Sequence, residues 1–260
     1  MFEFAANLTF LWTELPFLER FDAAREAGFG CVEYMFPYEH PAHDIRTRLD
    51  AAGLAQVLFN LPAGDWGAGE RGIASHPGRI DEFRAGVEEA LLYAEALDVP
   101  QLNCLAGLRL DDVEEPVQWR TLVENLRHAA RRLQSAGRRL LVEPVNTYDV
   151  PGFLVPTTGD GLRLIDEVDE PNVLLQFDAY HVHRMEGDPV DRLSELLPRV
   201  GHVQVADDPG RHQPGTGEID FAALFQLLEA GYDGAVGLEY VPLPDTARSL
   251  RWLTELAWSA

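Results

Sequence analysis

Positive charge is scarce in this sequence of 260 residues. It has 21 lysines and arginines against 43 aspartates and glutamates, which gives a formal net charge of -22 at pH 7. Such a surface repels polyanions, so the charge argues against nucleic acid or an anionic membrane as a partner. We expect a small molecule as the ligand, and an anionic ligand would need a local cationic pocket.

Cysteine is also scarce, and long apolar runs are missing. Cys31 and Cys104 form no CxxC pair and have no cluster of histidines beside them, which predicts two buried thiols in a reducing compartment. No uninterrupted apolar stretch approaches the ~18 residues of a membrane span. The N-terminal stretch has no basic region and contains Glu3, unlike a signal peptide. We therefore expect a cytoplasmic protein with no membrane partner, and a homo-oligomer is left open.

What the sequence does contain is a regular alternation of strand-like and helix-like segments. The expected strands are Phe2–Asn7, Cys31–Met35, Ala55–Asn60, Leu102–Leu105, Leu140–Glu143, Val173–Asp178, His202–Val205 and Ala235–Glu239. The expected helices are Leu15–Ala27, Pro41–Ala52, Ile80–Leu97, Val117–Ser135, Gly161–Val168, Val190–Leu197, Phe221–Ala230 and Thr246–Trp258. No linker, low-complexity block or break in composition interrupts them, which predicts a single domain over residues 1–260.

This alternation predicts the fold class. Strands that alternate with helices form a parallel sheet, and eight such units in a chain near ~250 residues favour closure into a (β/α)8 TIM barrel. An open, doubly wound sheet is the alternative. The first strand is not followed by the GxGxxG turn typical of dinucleotide-binding sheets of that kind, which weakens the alternative.

Four of the expected strands end in a side chain with an oxygen donor. They are Glu143 in LLVEPVN, Asp178 in LLQFDAYH, Gln204 in HVQVAD and Glu239 in VGLEY. A charged group directly after an apolar strand is costly unless it is paired or bound to a cation. Three carboxylates and one amide suit Mg2+ or Mn2+ better than zinc. The alternative is that each residue only caps its strand or pairs with a nearby arginine.

The strand that holds Gln204 leads into a long glycine-rich loop, PGRHQPGTGEI, which carries Arg211, His212 and Glu218. Catalytic residues of strand–helix barrels lie on such loops, at the carboxyl ends of the strands. We expect the glycines of PGTG to provide turn geometry and not a phosphate site.

Several segments together resemble one family. LVEPVNTYDVPGF, FDAYHVHRMEGD, HVQVADDPGRHQPGTGEIDF, GYDGAVGLEY and the loop NLPAGDWGAGERGI are similar to the hydroxypyruvate isomerases, a branch of the xylose isomerase-like TIM barrels. The resemblance runs from the first strand to the eighth. It implies one divalent metal, Mg2+ or Mn2+, held by Glu143, Asp178, Gln204 and Glu239. It also implies that the two glutamates form the acid–base pair.

The implied reaction converts hydroxypyruvate into tartronate semialdehyde. A proton leaves the hydroxymethyl carbon, and a proton is added to the neighbouring carbonyl carbon. A metal that chelates both substrate oxygens would acidify the C–H bond and stabilise the enediolate. Glu143 and Glu239 would transfer the protons from opposite sides of the substrate.

Arginines are candidates for binding the substrate's acid group, because a guanidinium grips a carboxylate bidentately. We expect this role for Arg71 and Arg211. The alternative is that each fixes its loop through a salt bridge, Arg71 with Glu70 and Arg211 with Glu218.

Histidines and one tryptophan complete the candidate set. His181 and His183, expected in a loop after the sixth strand, could orient the metal ligands or the substrate, and His181 is the stronger candidate. His212 could contact the substrate, and Trp66 could wall the pocket. Each has an alternative as polar surface or as a packing residue.

The sequence departs from the family pattern at two positions. His183 stands where a glutamine is expected, and Val241 stands where a lysine or arginine is expected after Tyr240. These changes leave open a 2-oxo-tetronate isomerase or a ketose 3-epimerase, although such epimerases usually have histidine at the position of Gln204. A metal-dependent endonuclease is opposed by the charge, and a non-catalytic sugar-binding relative is opposed by the presence of both glutamates.

Overall fold

Eight parallel strands form a closed barrel in the computed structural model, which describes residues 2–255. They follow one another around the barrel in chain order, and the eighth pairs with the first. They are β1 (Glu3–Asn7), β2 (Cys31–Glu33), β3 (Ala55–Asn60), β4 (Gln101–Cys104), β5 (Arg139–Val142), β6 (Val173–Asp178), β7 (Val200–Val205) and β8 (Ala235–Leu238). The predicted TIM barrel is confirmed, and the open sheet is wrong.

Helices connect the strands and cover the outside of the barrel. They are α1 (Arg20–Glu26), α2 (Ala42–Ala52), α3 (Ile80–Leu97), α4 (Glu115–Ser135), α5 (Thr158–Val168), α6 (Ala179–Glu186), α7 (Pro189–Leu196), α8 (Phe221–Gly231), α9 (Thr246–Ser249) and α10 (Trp252–Glu255). Single 3-10 turns precede α1 and α3 and follow α7, at Phe17–Glu19, Pro77–Arg79 and Leu197–Arg199. Within residues 2–255 no helix has both the length and the apolar character needed to cross a membrane.

Local sequence explains where the helices begin and end. In α4, Leu122, Leu126 and Leu133 are fully buried at helical spacing and form the stripe that packs on the sheet. The hydroxyl of Thr157 accepts a hydrogen bond from the backbone N–H of Asp160 and caps α5. Gly53 ends α2 at a φ of 62°, in the left-handed region that glycine tolerates best.

Two predicted segments differ from the structure. The loop expected after the sixth strand is helix α6, because Asp178 ends β6 and at once caps the helix by accepting a hydrogen bond from the N–H of Tyr180 (2.8 Å). The expected closing helix from Thr246 to Trp258 is two short helices, α9 and α10, and its last three residues lie outside the described part of the chain.

The register of the sheet brings the expected donor residues together. Asp178 on β6 pairs with Gln204 on β7, and Gln204 pairs with Gly237, two residues before Glu239. Glu143 directly follows β5, beside β6. All four side chains are buried, so the carboxyl-terminal end of the barrel contains a polar interior.

Candidate active site

A cavity of about 240 Å³ lies at the carboxyl ends of the strands. One side is apolar, and the other carries ionisable and amide groups. Its walls are formed by Phe10, Met35, Asn60, Trp66, Arg71, Leu105, Glu143, Val145, Asp149, Val150, Phe153, Gln176, His181, Arg211 and Glu239. Such a concave site with a few converging polar groups is typical of a small-molecule enzyme.

Two carboxylates, Glu143 and Glu239, line this cavity, and a third, Asp178, contacts the lining residues His181 and Arg211. Glu143 and Asp178 lie with His181 in a group whose ligand atoms are all within 4.8 Å of one another. Glu239 joins them through Arg211, whose Nη2 is 2.6 Å from Glu239 Oε1 and 3.4 Å from Asp178 Oδ2. The three carboxylates thus lie at the carboxyl ends of β5, β6 and β8, and Arg211 links the last two.

Burial and mutual repulsion disfavour the ionised forms of these carboxylates. Burial, together with the charge of Asp178, raises the pKa of Glu143 to about 8, although Arg211 opposes the shift. Burial also raises the pKa of Glu239 well above its ordinary value, and the charges of Glu143 and Asp178 act in the same direction. The pKa of Asp178 is raised chiefly by burial. Ionising all three carboxyl groups would therefore create more negative charge than Arg211, the arginine that contacts Glu239 and Asp178, can neutralise.

A divalent cation fits this donor set. Three buried carboxylates supply hard oxygen ligands and the excess negative charge that Mg2+ or Mn2+ would neutralise. The alternative, in which each carboxylate pairs with a nearby arginine, holds for Glu239 and Asp178, which share Arg211. The residues present could therefore hold a divalent metal ion.

Gln204 lies beside these carboxylates with its amide group held on both sides. Its Nε2 donates to Glu239 Oε2 (2.6 Å) and to Glu33 Oε1 (2.8 Å). Its Oε1 accepts a hydrogen bond from Gln176 Nε2 (2.5 Å). The atom of Gln204 that could bind a metal is Oε1. One of its lone pairs accepts the hydrogen bond from Gln176, and the second remains available.

His181 lies deep in the site and not on a surface loop, so the expected loop position is wrong. It belongs to the first turn of α6 and is 4% exposed. Its Nε2 is 3.6 Å from Asp178 Oδ2 and 3.9 Å from Glu143 Oε1. Burial and the charge of Arg211 lower its pKa well below the ordinary value of 6.5, so the imidazole is neutral.

Arg71 and Trp66 form one wall of the cavity as a stacked pair. The guanidinium of Arg71 lies 4.0 Å from the centre of the Trp66 ring, and its Nη1 donates to the backbone oxygens of Trp66 (3.3 Å) and Glu70 (2.7 Å). The alternative ion pair between Arg71 and the Glu70 side chain is not formed, because that carboxylate pairs with Arg79.

The second arginine of the cavity, Arg211, does not form the alternative ion pair with Glu218. It contacts Glu239 and Asp178 instead.

Two histidines expected near the ligand lie elsewhere. His212 Nδ1 contacts the backbone oxygen of Val241 (2.8 Å), outside the cavity wall. His183 Nδ1 contacts Asp208 Oδ2 (3.0 Å), and Arg184 binds the other oxygen of the same carboxylate. Val241 is 45% exposed at the barrel mouth.

A buried hydrogen-bonded cluster beside Gln204 was not predicted from the sequence. His202 Nε2 is 2.6 Å from Glu33 Oε2, and Asn7 Nδ2 bridges Glu33 to Glu239 with two contacts of 3.0 Å. Glu33 ends β2, but the predicted strand continued to Met35, so the signal that marked the other four donors did not mark Glu33. Asn103, whose Nδ2 donates to Glu143 Oε2 (2.8 Å), gave no comparable signal because it lies inside β4.

Comparison with known proteins places this geometry in a family. The family model described as "Xylose isomerase-like TIM barrel" matches residues 21–256. The chain is 45% identical to a hydroxypyruvate isomerase of Escherichia coli over 97% of its own length and 98% of that protein. It is 43% identical to a 2-oxo-tetronate isomerase of Cupriavidus necator, covering 96% of each chain.

A solved structure gives the same picture. The crystal structure of a protein from Brucella melitensis, described as an AP endonuclease of family 2, has a TM-score of 0.95 and 43% identity, covering 98% of this chain and 99% of that one. The chain belongs to the xylose isomerase-like TIM barrel family. The expected relationship to the hydroxypyruvate isomerases, and with it the isomerase class, is confirmed.

Proposed function

We propose that this protein is a divalent-metal-dependent isomerase that interconverts hydroxypyruvate and tartronate semialdehyde. The observation that carries the proposal is a cavity lined by Glu143 and Glu239 together with His181 and Arg211, both of which contact Asp178. The similarity to a hydroxypyruvate isomerase over nearly the whole chain supports the choice of substrate.

Four residues would hold the metal: Glu143, Asp178, Gln204 and Glu239. When bound, Mg2+ or Mn2+ would polarise the ketone and hydroxyl of the substrate and so acidify the C–H bond between them. Burial raises the pKa of both Glu143 and Glu239 in the metal-free site, and a bound cation would favour the ionised carboxylates that can accept a proton from the substrate.

The remaining groups bind the substrate and exclude water. Arg71 lines the cavity, stacked on Trp66, and could grip the acid group of the substrate. Arg211 and His181 lie against the carboxylates and would contact substrate oxygens, as expected from the sequence. His212, for which a substrate contact was expected, contacts the Val241 backbone and does not line the cavity, so it has no part in the proposal.

A 2-oxo-tetronate isomerase is the second candidate. The observation that favours it is the 43% identity to the Cupriavidus necator protein of that name. Val241, in place of the expected cation, does not distinguish the two substrates, since both carry the same acid group. We do not extend the activity described for the Brucella melitensis protein to this chain, because a net charge of -22 opposes the approach of DNA. Ketose epimerases of this superfamily usually have histidine where Gln204 stands, which opposes that third alternative.

The test is a substrate panel measured with one enzyme preparation. Hydroxypyruvate, 2-oxo-tetronates and free ketoses are supplied to enzyme stripped by chelation and then reloaded with Mg2+ or Mn2+. We expect the highest kcat/KM with hydroxypyruvate, and no turnover before reloading. Preference for a 2-oxo-tetronate would establish the second candidate, and full activity in stripped enzyme would refute metal dependence.

A further inference from the structure

The side chain of Asn146 is fully buried between the cavity residue Asp149 and His181. Its Nδ2 lies 3.0 Å from Asp149 Oδ2 and 2.7 Å from His181 Nδ1. Its Oδ1 lies 2.8 Å from the backbone nitrogen of Asp149. The three polar contacts of this amide are therefore made with Asp149 and His181, and His181 lies beside the carboxylates of Glu143 and Asp178.

Two independent contacts fix which end of the amide is oxygen. The backbone N–H of Asp149 can only donate, so its partner must be the carbonyl oxygen of Asn146. The carboxylate of Asp149 can only accept when ionised, so its partner must be the amide nitrogen. Burial alone would raise the pKa of Asp149, but hydrogen bonds from Asn146 and Tyr180 and the charge of Arg184 hold it below its usual range. Asp149 is thus ionised, as the assignment requires.

The orientation of Asn146 determines the proton on His181. An amide N–H that points at Nδ1 requires a lone pair on Nδ1. This hydrogen bond therefore excludes the doubly protonated ring and leaves the proton of His181 on Nε2. That Nε2–H is directed towards Glu143 and Asp178 at 3.9 and 3.6 Å, distances too long for direct hydrogen bonds. The N–H is therefore available to a third group in the cavity.

We propose that Asn146 is a positioning residue that holds His181 in the tautomer with its proton on Nε2. In this state His181 presents a donor to a substrate oxygen and has no lone pair for a metal on that side. The inference deepens the proposed function and rests on it for the identity of the substrate.

The proposal has a consequence for the choice of metal. Glu143, Asp178 and His181 are close enough to form a mixed carboxylate–imidazole site, which would suit zinc as well as harder ions. With its proton held on Nε2, His181 is removed from that set. The remaining donors are oxygens, which favours Mg2+ and Mn2+. Asn146 would in this way exclude a competing metal geometry without touching the metal.

The test inverts the hydrogen bond at Nδ1. In the double variant Asn146→Asp with Asp149→Asn, the introduced carboxylate can only accept, so it demands a proton on His181 Nδ1, and the net charge of the pair is unchanged. The matched control is Asp149→Asn alone, where the backbone N–H of residue 149 still fixes the Asn146 amide. Long-range 1H–15N spectra of ring-labelled protein report the tautomer of His181 directly and need no substrate.

We expect Nε2–H in the parent protein and in the control, and a proton on Nδ1 in the double variant. Calorimetry should then show the affinity for Zn2+ relative to Mg2+ rising at least about tenfold in the double variant only, a typical effect of changing a partner of a ligand residue. Nδ1–H in the parent, or unchanged Nε2–H in the double variant, would overturn the proposal. If the spectra match the expectation but the parent does not isomerise hydroxypyruvate, the substrate is wrong and the role of Asn146 stands.

Discussion

Arg211 and Glu239 form the closest ion pair at the floor of the cavity, with Nη2 of the arginine 2.6 Å from Oε1 of the glutamate. The same nitrogen is 3.4 Å from Asp178 Oδ2. Burial alone would lower the pKa of Arg211, but the three carboxylates outweigh it and keep the guanidinium charged. Arg211 can therefore balance only part of the negative charge that three ionised carboxylates would carry. The unbalanced part should make the stability of the protein depend on pH and on metal.

Without added metal, the stability of the protein should fall as the pH rises. The pKa of Glu143 is 4.5 in its ordinary state and about 8 in the fold, so between these values the folded state keeps a proton that the unfolded chain has lost. By linkage the free energy of unfolding then decreases with increasing pH over that window. Thermal unfolding of chelated protein from about pH 5 to about pH 8 measures this trend.

Mg2+ should reverse that trend, because a metal binds the ionised carboxylates. We expect a larger rise in Tm on adding Mg2+ at about pH 8 than at about pH 5. The matched variant Glu143→Gln has no proton to lose there, so its pH dependence should be flatter. A metal-induced rise in Tm that is equal at both pH values would contradict the role of these carboxylates.

The loop after β7 should depend on Asp207. This buried carboxylate accepts hydrogen bonds from four backbone N–H groups, those of Asp208, Gly215, Gly217 and Ile219. Asp207→Ala leaves them without this partner, which should cost about 2 kcal/mol of stability. It should also reduce kcat/KM, because the same loop carries Arg211.

The matched control for this experiment is Asp220→Ala. Asp220 is exposed and caps α8 through the N–H of Ala223 (3.0 Å), so its loss should cost about 1 kcal/mol and leave activity unchanged. Urea unfolding and steady-state kinetics give both quantities. Equal effects of the two variants on kcat/KM would show that the anchor at Asp207 does not position the site.

The sequence predicted the barrel because its strands and helices are encoded by local periodicity. It also predicted Glu143, Asp178 and Glu239 as site residues, since a carboxylate at the end of an apolar strand can be recognised from the sequence alone. The predicted loop position of His181 was wrong, because Asp178 both ends β6 and caps α6, and so no loop separates the strand from the helix. The contact between Asn146 and His181 joins residues 35 positions apart, and no local pattern encodes such a contact.

The two glutamates should be essential in a way that other acidic residues are not. Glu143→Gln and Glu239→Gln each keep a ligating oxygen but lose the basic one. We expect each to lower kcat by at least ~10²–10⁴-fold at saturating metal, as for general acid–base groups. Glu218→Gln, at an exposed position on the loop after β7, is the control and should keep parental kcat. If either site variant retained parental turnover, that glutamate would not be a proton-transfer group.

Isomerisation in D2O should place solvent deuterium in the product. Transfer through an enediolate moves a proton onto a carboxylate, where it can exchange with solvent before it returns to the neighbouring carbon. A hydride shift would instead carry the hydrogen of the substrate directly across. Early product is examined by NMR or mass spectrometry for deuterium at the newly protonated carbon.

Retention of the substrate hydrogen would not by itself exclude proton transfer, because a buried glutamate can return the same proton before exchange. Glu143 and Glu239 are 6% and 7% exposed, so such shielding is physically reasonable. The two measurements are therefore combined. Solvent label, with both glutamine variants nearly inactive at saturating metal, supports the two-glutamate mechanism. Retention in the parent together with an active Glu143→Gln or Glu239→Gln enzyme would end it.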